Sequence, residues 1–316
     1  MKHYVTTATL SLAALVTVAP DSATASGAHT MACSSTTRAA YSACLFDSLD
    51  SYWISIGKCR NERDAADRIE CNKDARAGLA EGYGQCFSQR TARADLCDEL
   101  GQSPYDPSFE PGNFVDPREV GKTVAPNPYF PLTSGKTYVY KGADEVVRVT
   151  FTDEIKIIDD VPCLVVRDVV STLDGDLVED TIDWYAQDVH GNVWYCGEIT
   201  AEYEDGFPVN VDGSFQADVD GARPGIQMKA APAVGDVYRQ EFDLGNAEDV
   251  AKVLSLHASA TSPAASCDQT CLATDEFTPI SPGVHETKYY KPGVGFILQT
   301  KPGSDERLEL IEIVND

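Results

Sequence analysis

The chain has 316 residues, with Lys+Arg 25 against Asp+Glu 50, a formal net charge of −25, and Cys 10. A surface that acidic repels phosphate backbones and anionic lipid headgroups, which excludes nucleic acid as a partner and leaves cations, basic partners or plain solubility. The cysteine content points to disulfides, and so to an oxidising compartment.

The start, Met1-Lys2-His3, is short and basic, and an apolar stretch follows from Tyr4 to Pro20. That stretch is too short and too Thr-rich for a bilayer span. Ala23-Thr24-Ala25 is the small-x-small pattern of a signal-peptidase site. Residues 1–25 are therefore expected to be a signal peptide, with no transmembrane segment in the mature chain. That chain would have roughly 290 residues, one large domain or two smaller ones. There is no Asn-x-Ser/Thr sequon, which suits a bacterial periplasmic, secreted or cell-surface protein.

Residues 33–98 are Ala-rich and Pro-free, and carry six cysteines. Leu45, Leu49, Tyr52, Ile56 and Cys59 recur at steps of four and three, an amphipathic helical stripe. Ile69, Ala75, Leu79, Tyr83 and Cys86 form a looser second one. The cysteine spacings are 11, 15, 12, 15 and 11, a palindrome. Residues equidistant from a common centre face each other in an antiparallel hairpin, and these steps approximate whole helical turns. The expectation is two helices turning near Ala65, with rungs Cys33–Cys97, Cys44–Cys86 and Cys59–Cys71. A two-helix hairpin buries little apolar surface, so staples supply what its core lacks. The geometry resembles the twin-cysteine hairpins of the mitochondrial coiled-coil-helix proteins, but the signal peptide and the three rungs depart from that family.

Residues 99–135 are expected to be an ordered, Pro-rich linker. Seven prolines lie between Gly101 and Gly135, and Tyr105, Phe109, Phe114, Tyr129 and Phe130 are more aromatic than a free linker would be. From 136 to 316 the pattern is alternation: Thr137 to Tyr140, Val146 to Phe151, Cys163 to Val170, Thr181 to Tyr185, Asn192 to Cys196, Val237 to Phe242, Val294 to Leu298 and Leu308 to Val314. Gly-, Asp- and Pro-containing turns separate the runs. This predicts an acidic antiparallel β meander, closing as a barrel, half-barrel or sandwich, with one short helix over Ala247 to Leu256. Cys163 and Cys196 are expected to bridge between strands, and Cys267 and Cys271 within a Ser/Thr/Ala-rich loop; crossed pairing among these four is the alternative. The fold class is thus α+β.

The stretch Asn127-Pro-Tyr-Phe-Pro-Leu, the run Asp183-Trp-Tyr-Ala-Gln-Asp and the late Tyr290-Lys-Pro-Gly-Val-Gly resemble a group of uncharacterised exported bacterial proteins. In these a cysteine-bearing helical segment precedes a β-rich domain. That resemblance implies no activity. The meander also resembles, at the level of fold only, curled-sheet periplasmic lipid carriers.

Chemistry is sparse. The histidines after the signal segment, His29, His190, His257 and His285, are scattered, and neither a Gly-x-Ser-x-Gly elbow nor a dinucleotide fingerprint occurs. Asp183, Glu198 and Glu241 lie near aromatics, as a glycosidase acid/base pair would, but in so acidic a domain such proximity is common. Asp174, Asp176 and Glu179, and Asp218 with Asp220, cluster hard oxygens in turns where calcium could bind; solvated acidic turns are the simpler account, and no other cofactor is implied. Trp184-Tyr185 and Trp194-Tyr195 flank one hairpin, and alternation sends one ring of each pair outward as a candidate platform for a glycan or peptide. The reading is a non-catalytic exported binding or surface protein for a hydrophobic molecule, a glycan or a partner protein. A carboxylate-dependent hydrolase and a calcium-stabilised surface protein are the alternatives.

Overall fold

The computed structural model describes residues 31–315, so the expected signal peptide lies outside the described residues. The first elements are α1 (Ala32–Cys59) and α2 (Ala65–Leu100). Asp64 caps α2, its Oδ1 accepting from the backbone N–H of Ala66 at 2.7 Å and of Asp67 at 3.3 Å, which satisfies donors the first helical turn leaves free. Disulfides Cys33–Cys97, Cys44–Cys86 and Cys59–Cys71 cross between the two helices. Ile56 and Cys59 are buried in the seam and Leu45, Leu49 and Tyr52 half-buried, while Phe46 and Trp53 face out. So thin a seam is why the covalent rungs matter.

Beyond Leu100 the chain runs as an arm with two short 3₁₀ turns, Pro111–Asn113 and Pro117–Glu119. Side chains hold it down. The Tyr105 hydroxyl donates to the Pro224 carbonyl at 3.0 Å, and Gln187 pairs with the arm twice, accepting from Asn127 N at 2.9 Å and donating to the Ala125 carbonyl at 2.9 Å.

Fifteen strands follow among the described residues: β1 (Lys136–Lys141), β2 (Glu145–Ile158), β3 (Val161–Thr172), β4 (Leu177–Gln187), β5 (Val193–Glu204), β6 (Phe207–Asn210), β7 (Phe215–Gln216), β8 (Arg223–Met228), β9 (Val237–Arg239), β10 (Glu241–Phe242), β11 (Val250–Thr261), β12 (Ser266–Phe277), β13 (His285–Lys291), β14 (Gly295–Thr300) and β15 (Arg307–Asn315). The sheet order is β10-β8-β5-β4-β3-β2-β1-β15-β14-β13-β12-β11-β9, and its pairings are antiparallel. The two ends of this order, β10 and β9, are consecutive in sequence with Gln240 alone between them. The sheet therefore curls until its edges meet at a single bend of backbone, a nearly barrel-shaped closure that leaves few unpaired edge groups. Gly225 in β8 lies so close to the Gln240 backbone that any Cβ there would collide with it. Only glycine lets the edges approach this closely.

The concave face holds the larger core, which includes Tyr138, Val147, Phe151, Leu164, Val166, Leu272, Tyr290 and Leu310. A smaller cluster covers the convex side at β3–β5, where Phe109 and Phe114 of the arm pack over Trp194 and share a cluster with Trp184 and the Cys163–Cys196 bond.

Two expectations are corrected. Ala247 to Leu256 contains no helix: β11 begins at Val250 and pairs with β9 and β12. Val250, Ala251 and Val253 are fully buried between those neighbours, so tertiary pairing overrides a weak helical pattern. Cys267 and Cys271 do not sit in a loop either. Both lie on β12, opposite Ala260 and Ala258 of β11, and their disulfide closes a bulge in which β12 carries the extra residues.

Candidate functional site

The interior of the curled sheet contains two adjoining compartments. One, of ≈ 250 Å³, is walled by aromatic and aliphatic side chains that include Phe130, Tyr138, Val147, Phe151, Phe296 and Leu308. The other, of ≈ 220 Å³, is polar and lined by Asp168, Glu179, Asp183, Glu198, Glu241, Asp249, Glu276 and Lys288. Asp168, Asp183, Tyr185, Gln227 and Lys288 line both, so the compartments share a boundary.

Alternation explains most of this lining. Asp168 follows Leu164 and Val166 on the inner face of β3, and Thr181, Asp183 and Tyr185 share the inner face of β4. In β5 alternation breaks. Trp184 faces Gly197 but Tyr185 faces Tyr195, so Cys196 is an extra residue. This bulge puts Tyr195 and Glu198, three residues apart, on one face. Asp183 and Glu198 are thereby direct cross-strand partners, a like-charge pairing that is unfavourable if both are ionised.

The Tyr195 hydroxyl lies within hydrogen-bond distance of Asp183 Oδ1 and, at 2.8 Å, of Glu198 Oε2. A phenol has one proton to donate. One contact is Tyr195 donating; the other is satisfied when the second carboxyl is protonated and donates back. The electrostatics agree. Burial, then the neighbouring Asp168, pushes Asp183 up to about 8 against the donation from Tyr195. Burial, then Asp183, pushes Glu198 up to about 8. Burial, then Glu179 and Glu198, pushes Asp168 up to about 7, opposed by Lys288. Glu241 is raised well above its usual range by burial and then by Asp249.

Opposite this protonated group stands an ionised one. Burial alone would raise Glu276, but Lys288 at 2.9 Å, the Tyr290 hydroxyl at 2.6 Å and the Thr274 hydroxyl at 2.8 Å more than offset it, and its pKa is lowered. Burial acts to lower Lys288, but Glu276 and then Glu286 more than offset it and its pKa is raised, so the ammonium is held charged. Asp168 keeps one oxygen, Oδ1, buried without a hydrogen-bond partner among the described residues. This unpaired polar atom belongs to a residue that lines both compartments.

Asp183, Glu198 and Glu241, singled out in the sequence by their aromatic neighbours, line one compartment. The four aromatic platform candidates divide by face. Tyr185 and Tyr195 stack at 4.6 Å inside the sheet. Trp184 is only 3 % exposed, with Lys156 Nζ over its ring, and Trp194 packs under Phe109 and Phe114. The outward rings are not a free platform, because Lys156 covers Trp184 and the arm covers Trp194. Of the calcium candidates, Glu179 faces the polar compartment while Asp174 and Asp176 stay exposed in the β3–β4 turn. Asp218 and Asp220 occupy a different, exposed turn, where Asp218 contacts Arg223 at 3.5 Å. Among the described residues no three His, Cys, Asp or Glu side chains converge in an arrangement that could hold a metal ion.

Sequence analysis missed Asp168, Glu276 and Lys288. For Asp168 a signal existed, a lone charge in the inward register of Leu164, Val166 and Val170. For Glu276 and Lys288 none existed, since β12 and β13 were not foreseen as strands.

No protein-family model matches the chain, and no curated protein matches it. Among solved structures, a Bacteroides fragilis protein described as exported and YmcC-like in fold is 13% identical; the match covers 59% of this chain and 99% of that one, with a TM-score of 0.35. A Parabacteroides distasonis protein described as a lipoprotein is 14% identical, with 60% of this chain and 100% of that one covered and a TM-score of 0.34. Similarity this low carries no statement about function.

Proposed function

We propose that this chain is an exported, non-catalytic binding protein that holds a small amphipathic molecule inside its curled sheet. The observation that carries this reading is the joined pair of compartments: an aromatic chamber for an apolar body, opening onto Asp168 and Lys288 for a polar end. Small-molecule sites characteristically combine apolar walls with a few convergent polar groups. Carboxyls kept protonated by burial donate hydrogen bonds as well as accept them, which suits a hydroxyl, ether or carbonyl head. Five disulfides and no free cysteine among the described residues fit export to an oxidising compartment.

The test is native mass spectrometry of the protein produced in an oxidising compartment, followed by titration of the delipidated protein with a fluorescent apolar probe. The expected result is a retained organic adduct or saturable probe uptake, weakened at least about tenfold by Leu308→Trp, which fills the apolar chamber of a site that binds by shape and burial. Absence of both adduct and uptake refutes the proposal.

The Asp183–Tyr195–Glu198 arrangement favours a second reading, a carboxylate-dependent hydrolase. Against it, both carboxyls already meet on one hydroxyl, where an acid/base pair must flank a substrate bond. Turnover of a glycoside substrate that Glu198→Gln abolishes in a folded protein would decide for the hydrolase.

A further inference from the structure

A second cavity, of ≈ 460 Å³, opens where the helical hairpin, the arm and the β8–β10 edge meet, and it shares no lining residue with the interior compartments. Two arginines, Arg93 and Arg239, line it, against one carboxylate, Glu248. Glu248 is already engaged. Its Oε1 accepts from Arg93 Nη2 at 2.7 Å and from the Gly245 N–H at 2.8 Å, and its Oε2 accepts from Arg93 Nε at 3.0 Å. This bidentate pair neutralises Arg93.

Arg239 has no equivalent. It is 8 % exposed, and its Nη1 is buried without a hydrogen-bond partner among the described residues. The guanidinium lies 4.3 Å from the Phe242 ring centroid and 5.6 Å from that of Tyr105, and both rings line the same cavity. Stacking on aromatic faces orients the guanidinium plane but accepts none of its in-plane N–H groups. Arginine does not lose its proton in a protein, so one positive charge stays buried with an N–H unused. Leaving such a group unpaired is costly. In a chain of net charge −25, a buried cation with no carboxylate hydrogen-bonded to its Nη1 is the local exception.

We infer that this cavity binds a small organic monocarboxylate, its carboxylate on the unpaired Nη1 of Arg239 and its apolar body against Trp194, Ile226 and Phe242. Charge favours the monoanion: two guanidinium groups and Glu248 leave one unit to neutralise, whereas a phosphate dianion would overshoot beside Glu248. The apolar wall requires a hydrocarbon body, since a bare inorganic ion would leave it unfilled. This inference is independent of the interior compartments.

The test is isothermal titration calorimetry of the disulfide-intact mature protein with 4-ethylbenzoate, its neutral isostere 4-ethylbenzamide, and inorganic phosphate. The expected result is 1:1 binding of the benzoate, with the amide weaker by about tenfold or more, the usual worth of a charge-assisted hydrogen bond, and phosphate weaker still. Arg239→Met, which keeps the stem and removes the charge, abolishes the preference for the benzoate over the amide. Ile226→Trp, which fills the cavity and leaves Arg239 in place, weakens both organic probes. Should the methionine variant fail to fold, the benzoate-to-amide ratio on the native chain and the Ile226→Trp result decide the question. Equal binding of benzoate and amide, tighter binding of phosphate than of benzoate, or an unaltered preference in a folded Arg239→Met protein overturns the assignment.

Discussion

Replacing Asp183 by Asn should flatten the pH dependence of stability in a way that isolates the buried proton. Asp183 is 6 % exposed and is pushed up to about 8, by burial first and Asp168 second. An unfolded Asp titrates near pH 4. A folded pKa above the unfolded one means the native state keeps a proton that the unfolded chain releases. The associated stability is complete below the unfolded pKa and is lost as pH rises towards the folded one. Across that window each such carboxyl contributes a slope of about −1.4 kcal/mol per pH unit, so from pH 5 to pH 7 Asp183 alone accounts for roughly 3 kcal/mol. Glu198, pushed up to about 8, and Asp168, to about 7, act in the same direction. Repulsion among surface acids does too, and the decisive quantity is therefore the difference between native and variant. Urea unfolding of the disulfide-intact protein from about pH 4 to pH 8 should show near-equal stability only at about pH 4, before the unfolded acid has given up its proton, where Asn mimics the neutral acid. Above that the variant should fall less steeply by about 1.4 kcal/mol per unit, so that it becomes the more stable protein as pH rises. Parallel profiles would refute the buried, protonated Asp183–Glu198 pair.

Glu248→Gln should destabilise the fold by about 3–5 kcal/mol because it leaves Arg93 buried and unpaired, whereas the double variant Arg93→Met, Glu248→Leu should recover most of that loss, as thermal melts will show. The two inner hairpin disulfides should rank by loop length: removing Cys44–Cys86, with a separation of 42, should cost about 4 kcal/mol, and removing Cys59–Cys71, with a separation of 12, about 3 kcal/mol, measured by chemical denaturation of the paired serine variants. The reverse order would show that hairpin packing, not chain entropy, dominates.

The α+β organisation and most strands were legible because alternation and helical stripes are local signals. Asp183, Glu198 and Glu241 could be noticed, but only as three acids among many. What singles out Asp183 and Glu198 is the extra residue at Cys196, which turns Tyr195 and Glu198 to the same face; nothing in the spacing announces a bulge. The four aromatics of the β4–β5 hairpin were visible as a group. Their division into an interior Tyr stack and two covered Trp rings depended on where Phe109 and Phe114 dock over Trp194 and where Lys156 lies over Trp184.

By itself the sequence determined the acidic charge, the cysteine spacings and the alternation from Lys136 onward, properties of residues and their near neighbours. Tertiary structure alone decided that β9 and β10 meet across Gln240, that Val250 to Thr261 is strand rather than helix, and that Arg239 lacks the partner Arg93 has. Each of these depends on contacts between residues far apart in the chain. A carboxyl beside others becomes protonated, and a guanidinium unpaired, only once folding has removed water and chosen its neighbours.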